Sequence, residues 1–150
     1  GCKGMEIFWA CLWSFAACAA FCSQFNIRGR TLLLASLGGA LGWLVYLLCT
    51  PLQNDIVQYF FATVVTAIYS EGMARFAKKP ATEFQIIALL PMVPGGGIFY
   101  TMEYCVIGNT SMFVRTGLHT LGISGALAIG VLLVSTAVRM IHIARAHRDW

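Results

Sequence analysis

The chain has 150 residues, of which 59% are hydrophobic and only 11% charged, whereas soluble domains carry roughly 25% charged residues. With a mean hydropathy of +0.76, this composition excludes an ordinary soluble enzyme or binding module and points to an integral membrane protein. The net charge of +4 comes from basic residues scattered between apolar segments, with no basic stripe or aromatic-laced patch, so nucleic acid is not an expected partner.

A spanning helix takes roughly 20 mainly apolar residues at about 1.5 Å rise each, so the chain holds about five spans and little else. The expectation is an all-α membrane protein, a single transmembrane domain over residues 1–150, with spans near 5–25, 31–50, 56–73, 84–107 and 117–138. The first apolar stretch, from Met5 to Cys22, exceeds the usual core of a signal peptide. It is read as a span even though "WSFAAC" before Cys18 loosely resembles a lipobox. Ala10, Ser14, Cys18 and Cys22 recur along it at every fourth position, Gly38 and Gly42 make a GxxxG in the second span, and Gly122, Ala126 and Gly130 repeat the pattern in the fifth. Such faces let helix backbones approach closely; ordinary packing within the chain is the expectation for each alone, and among three of them a face that meets a partner subunit is also compatible with the sequence. The six cysteines lie mostly in apolar runs without metal or disulfide spacing, so no metal site and no cofactor is expected.

The connectors are short: "NIRGR" at 26–30, "PLQND" at 51–55, "RFAKKPATE" at 75–83 and "GNTSMFVRT" at 108–116. Asn109 to Ser111 reads as a glycosylation sequon and carries no weight on so short a pattern. In the third span Tyr59, Thr63, Thr66 and Ser70 share one helical face, with Thr63 and Thr66 near mid-span. Their hydroxyls suit a substrate carboxylate or hydroxyl, and equally suit bonds to neighbouring helices or their own backbone. Glu71 stands four residues before Arg75, the spacing of a helix ion pair. Trp9, Trp13 and Trp43 read as packing or interfacial residues.

The fourth span contains "LLPMVPGGGIFYTME" at 89–103. Pro91 and Pro94 each cost about 3 kcal/mol inside a helix and each glycine of the run Gly95, Gly96 and Gly97 roughly 1 kcal/mol, so a break is expected. Pro91 lies roughly 10 Å from one end of the span and Gly97 about 15 Å from the other, near the midplane. Non-helical backbone at that depth must be buried in protein or line a watered cavity. A half-helix beginning near Gly97 would turn free amides and a positive dipole end toward that space, which suits a carboxylate. A proline kink absorbed by neighbouring helices is the plainer alternative. Glu103 lies about 6 Å below the outer end of this span, as a mouth residue, and His119 near the start of the fifth span is either structural or a proton relay.

With five alternating spans, Arg28, Arg30, Arg75, Lys78, Lys79, Arg139, Arg145 and Arg148 fall on one side and only Lys3 and Arg115 on the other. That asymmetry predicts an N-terminus outside and a C-terminus in the cytoplasm. An odd span count also requires a second five-span unit to sit inverted relative to the first, a common transporter architecture. No HExxH, GxSxG or carboxylate cluster suggests an enzyme.

"PMVPGGGIFYTM" at 91–102, "RFAKKPATEFQIIALL" at 75–90 and "FNIRGRTLLLASLGGALGWLVYLL" at 25–48 resemble the threonine/serine exporter family over most of the chain. The likeness is strongest to the small five-span subunit of the two-component succinate exporter type. Its specific core is the Pro-x-x-Pro-Gly element at Pro91, Pro94 and Gly95, followed by Tyr100 and Thr101, with Gly96 and Gly97 extending the usual run. The resemblance implies half of an inverted-repeat secondary exporter, paired with a larger five-span subunit that bears a cytoplasmic N-terminal domain. The expected substrate is a small polar carboxylate, either threonine and serine or a dicarboxylate such as succinate. The competing expectation is a non-transporting structural or assembly subunit, and self-association is also compatible with the sequence.

Overall fold

A computed structural model describes residues 2–148. Among them there are no strands, and six α-helices follow in order: α1 (Cys2–Gln24), α2 (Arg30–Leu48), α3 (Asp55–Ala77), α4 (Ala81–Leu89), α5 (Gly95–Ile107) and α6 (Thr110–Ala146). Short 3-10 turns at Thr50–Leu52 and Leu90–Met92 follow α2 and α4. Helices α1, α2 and α6 are each long and apolar enough to cross a membrane, and a fourth span is reached if α4 and α5 count as one bent pair. Helix α3 has the length, at 23 residues, but falls short in apolarity because Gln58, Thr63, Thr66, Ser70 and Glu71 interrupt it.

Local chemistry explains the helix ends. Asn54 caps α3 by accepting a bond from the Ile56 amide at 3.2 Å, and Asp55 adds negative charge to the first turn. Asn109 caps α6 in the same way, accepting from the Met112 amide at 3.2 Å. That cap starts α6 at Thr110, so the stretch expected to be a connector before residue 117 is helical. Helices α1, α3 and α5 end on left-handed residues, Asn26, Lys78 and Gly108. In each, the next amide reaches back five residues: Ile27 to the Cys22 carbonyl at 2.9 Å, Lys79 to Ala74 at 3.0 Å and Asn109 to Tyr104 at 3.0 Å.

Packing is inverted relative to a soluble protein. The interior is built from small and hydroxyl-bearing residues, among them Cys18, Ser36, Ala62, Thr63, Thr66 and Ser70, all at 0% exposure. Large apolar side chains such as Trp13, Phe76 and Val106 point outward. Helices in lipid gain nothing from burying leucine and instead associate by close backbone contact. Helix α3 packs against α2, α4 and α6, while α1 packs on α2 and α5 on α6.

All three small-residue faces make contacts within the chain, as expected of each taken alone. Ser14 of α1 donates to the Gly39 carbonyl of α2 at 3.2 Å. Gly38 lies against Tyr69 and Ala88, Gly42 against Met92 and Thr66, Gly122 against Ile56, and Gly130 against Thr63. Tyr69 Oη donates to the Leu34 carbonyl at 2.8 Å, fastening α3 to α2 beside Gly38.

Candidate functional site

The interruption between α4 and α5 follows from missing donors. Pro91 has no amide for the Ile87 carbonyl one turn earlier. Ile87 instead accepts from the Leu90 amide and from Cys18 Sγ of α1, 3.4 Å away. Pro94 likewise offers nothing to Leu90, whose carbonyl takes the Val93 amide at 3.3 Å. Gly95 turns its amide to the Val93 carbonyl at 2.7 Å, and α5 starts there on a new axis bent 51° from α4. The amides of Gly96 and Gly97 therefore stand at the head of α5, where no intrahelical carbonyl lies four residues back.

The break is anchored on its α4 side and open on its α5 side. Met92 is fully buried. Its Sδ lies 4.0 Å from Thr63 Oγ1, and its methyl group together with Thr66 Oγ1 occupies the space a Cβ on Gly42 would need. Pro91 rests near Gly39, its Cγ 3.6 Å from where a Cβ there would stand. Gly95 and Gly96 are exposed, and a Cβ on either would meet no atom within 4 Å, whereas Gly97 sits tightly against Thr120 of α6.

The remaining predicted site residues fall into distinct surroundings. The hydroxyls of Thr63, Thr66 and Ser70 lie on one buried face, the first two beside Met92, but each donates to its own helix: to Tyr59 at 2.7 Å, Ala62 at 2.8 Å and Thr66 at 2.9 Å. Thr101 is half-buried and donates to the Gly97 carbonyl at 2.6 Å, with its methyl beside Gly117. Tyr100 is 53% exposed. Glu103 is exposed on the outer flank of α5, in a groove of about 440 Å³ with Phe99 and Met102. The structure thus joins Pro91 to the Thr63 face through Met92, and Gly97 and Thr101 to α6. Tyr100 and Glu103 stay on the surface.

Charged residues sort to the two ends. Asn26 and Ile27 of the first connector border one cavity with Lys79 and Glu83. Arg75, Lys78 and Arg139 border another. The basic turns after α1 and α3 and the end of α6 are therefore neighbours. At the opposite end His119 Nε2 lies 3.4 Å from Asp55 Oδ2, tying α6 to the head of α3. The expected Glu71–Arg75 pair does not form. Glu71 Oε1 instead accepts from Gln85 Nε2 across the α3–α4 interface at 3.5 Å, because Gln85 is buried against α3 while Arg75 stays exposed.

Sequence reasoning missed Met92, Cys18 and Thr120. For Cys18 a signal existed: a proline at 91 leaves the carbonyl of Ile87 in need of a donor. Which helix supplies that donor is a matter of packing and leaves no trace in the local sequence.

Neither the curated proteins nor the solved structures contain a match to this chain. One family, described as Threonine/Serine exporter, ThrE, matches residues 10–137. With that match covering most of its length and an all-helical, apolar architecture beneath it, the chain belongs to the threonine/serine exporter family and is an exporter-type, multi-pass membrane protein.

Proposed function

We propose that the chain is the membrane subunit of a secondary exporter of small polar carboxylates, threonine and serine or a dicarboxylate such as succinate, and that the broken helix holds the substrate. The observation that carries this reading is the interruption itself. Helix α4 stops at Leu89 and α5 restarts at Gly95 on an axis 51° away. The head of α5 presents the Gly96 and Gly97 amides, with the positive end of the helix dipole behind them, to whatever lies beside the break. Discontinuous helices bind anionic groups in this way in many transporters. Pro91 and Pro94 keep the helix interrupted, with Tyr100 and Thr101 one turn on; to meet substrate, Thr63, Thr66 and Ser70 would have to turn from their buried face on α3 and Glu103 from the outer flank of α5. The exporter family supports transport rather than catalysis.

In this reading α3 is a fifth span despite its polar face, since that face is buried against α2, α4 and α6. The single transmembrane domain then has its N-terminus outside and its basic end in the cytoplasm of a bacterial inner-membrane protein. A larger inverted five-span subunit with a cytoplasmic domain completes the transporter. The test is export from proteoliposomes holding both subunits. Pro94→Leu and Gly95→Leu should lower the rate at least tenfold without loss of helical content, and parental rates in both would end the site assignment.

The alternative, an assembly subunit that does not transport, draws on one observation: the Thr63, Thr66 and Ser70 hydroxyls are spent on their own backbone. Vesicles holding the larger subunit alone decide between the two, because full export from them would favour the alternative.

A further inference from the structure

Two hollows adjoin each other and differ sharply in chemistry, the second of them reaching Val93 at the edge of the break. A cavity of about 680 Å³ opens between the ends of α3, α4 and α6. Arg75, Lys78, Lys79 and Arg139 border it, with His142 beside them and Glu71 as the carboxylate among its lining residues. Deeper in, Gln85 is 7% exposed and reaches both Glu71 Oε1 at 3.5 Å and Ser135 Oγ at 3.3 Å. Ser135 also borders the second hollow, an apolar groove of about 540 Å³ between α4 and α6. Leu89 and Val93 form one wall of that groove and Leu127, Val131 and Leu132 the other.

Their depths follow from helix geometry. The 37 residues of α6 run for about 55 Å, well beyond the roughly 30 Å hydrocarbon thickness, so its basic end stands among lipid headgroups. From Ser135 to Ser124 the groove follows α6 for about 16 Å, close to the hydrocarbon depth of one leaflet. A small polar solute would have no use for the groove, and a purely apolar molecule would leave the cations unmatched.

The geometry points to a phospholipid site: an anionic, hydroxyl-bearing headgroup in the basic cavity and an acyl chain along the groove. The phosphate meets Arg75, Arg139 and the lysines, where guanidinium groups bind phosphate oxygens in pairs. Glu71, Gln85 and Ser135 accept from headgroup hydroxyls such as those of glycerol. Basic pockets between spanning helices on the cytoplasmic side bind anionic headgroups generally.

The test is native mass spectrometry of the full chain in mild detergent, titrated with phosphatidylglycerol or phosphatidylcholine. Phosphatidylglycerol should saturate a site at roughly one-tenth the concentration that phosphatidylcholine needs, reflecting its charge-assisted bonds. Arg75→Gln with Arg139→Gln should weaken it about tenfold. Ala128→Trp, which fills the groove and leaves the basic rim intact, should weaken it too. Equal binding of the two lipids by the parent chain overturns the proposal and requires no variant to fold. Displacement of phosphatidylglycerol by millimolar inorganic phosphate, with Ala128→Trp silent, also overturns it and identifies a soluble-anion site instead.

Discussion

Gly42 is the position where the break meets the rest of the bundle, and Gly42→Ala probes that contact. A methyl there collides with the Met92 methyl group and with Thr66 Oγ1, and comes within 3.6 Å of Thr66 Cβ. Thr66 has little room to yield, since its hydroxyl is bonded to the Ala62 carbonyl at 2.8 Å and its side chain is fully buried. The strain therefore falls on Met92 and on the α2–α3 spacing. Overpacking of this kind costs about 1–3 kcal/mol, a drop in melting temperature of roughly 2–12 °C for a chain of this size. The assay is thermal unfolding in detergent followed by tryptophan fluorescence. Met92→Ala alone should also destabilise, by about 2–5 kcal/mol for the vacated space. Combined, the two should cost less than their sum by about 0.5–3 kcal/mol, because the new methyl enters that space. Gly72→Ala is the control: no atom lies within 4 Å of its added carbon, so it should gain up to about 1 kcal/mol of helix propensity. Strict additivity of Gly42→Ala and Met92→Ala, or an undisturbed Gly42→Ala protein, would refute the packing of Met92 between α2 and α3.

Three further outcomes are expected. Cys18→Ala should cost about 1 kcal/mol by removing a donor from the Ile87 carbonyl. In a Pro91→Ala background the cost should shrink, since the restored amide serves the same acceptor; an unchanged cost measured by thermal unfolding would deny the link. Asp55→Asn should shift stability by less than about 1 kcal/mol despite the 3.4 Å contact with His119, because both side chains are about half exposed; a double-mutant cycle with His119→Gln measures it. In a cysteine-free background, Arg115→Cys should react with an impermeant maleimide on intact cells and Lys78→Cys only after permeabilisation. The reverse pattern would invert the proposed topology.

Much was legible along the chain because its causes are local. The apolar composition demands helices that satisfy their own backbone in lipid. The missing amides of Pro91 and Pro94 act on carbonyls one turn away, so the interruption could be read from the residues themselves. Which helix each small-residue face meets was not legible. A row such as Ser14, Cys18 and Cys22 announces close approach without naming the helix that approaches, and both readings of it cost the same in sequence.

Rotation and register of packed helices settle those matters, since they set which side chains meet across distances of tens of residues. Glu71 thus turns to Gln85 on α4 rather than to Arg75 on its own helix. Cys18 of α1 serves a carbonyl of α4, and Met92 fills the notch at Gly42. Helix propensity and hydropathy count residues singly or by the turn; the shape that lets a thiol reach a carbonyl 69 positions away exists only once several helices share one interior.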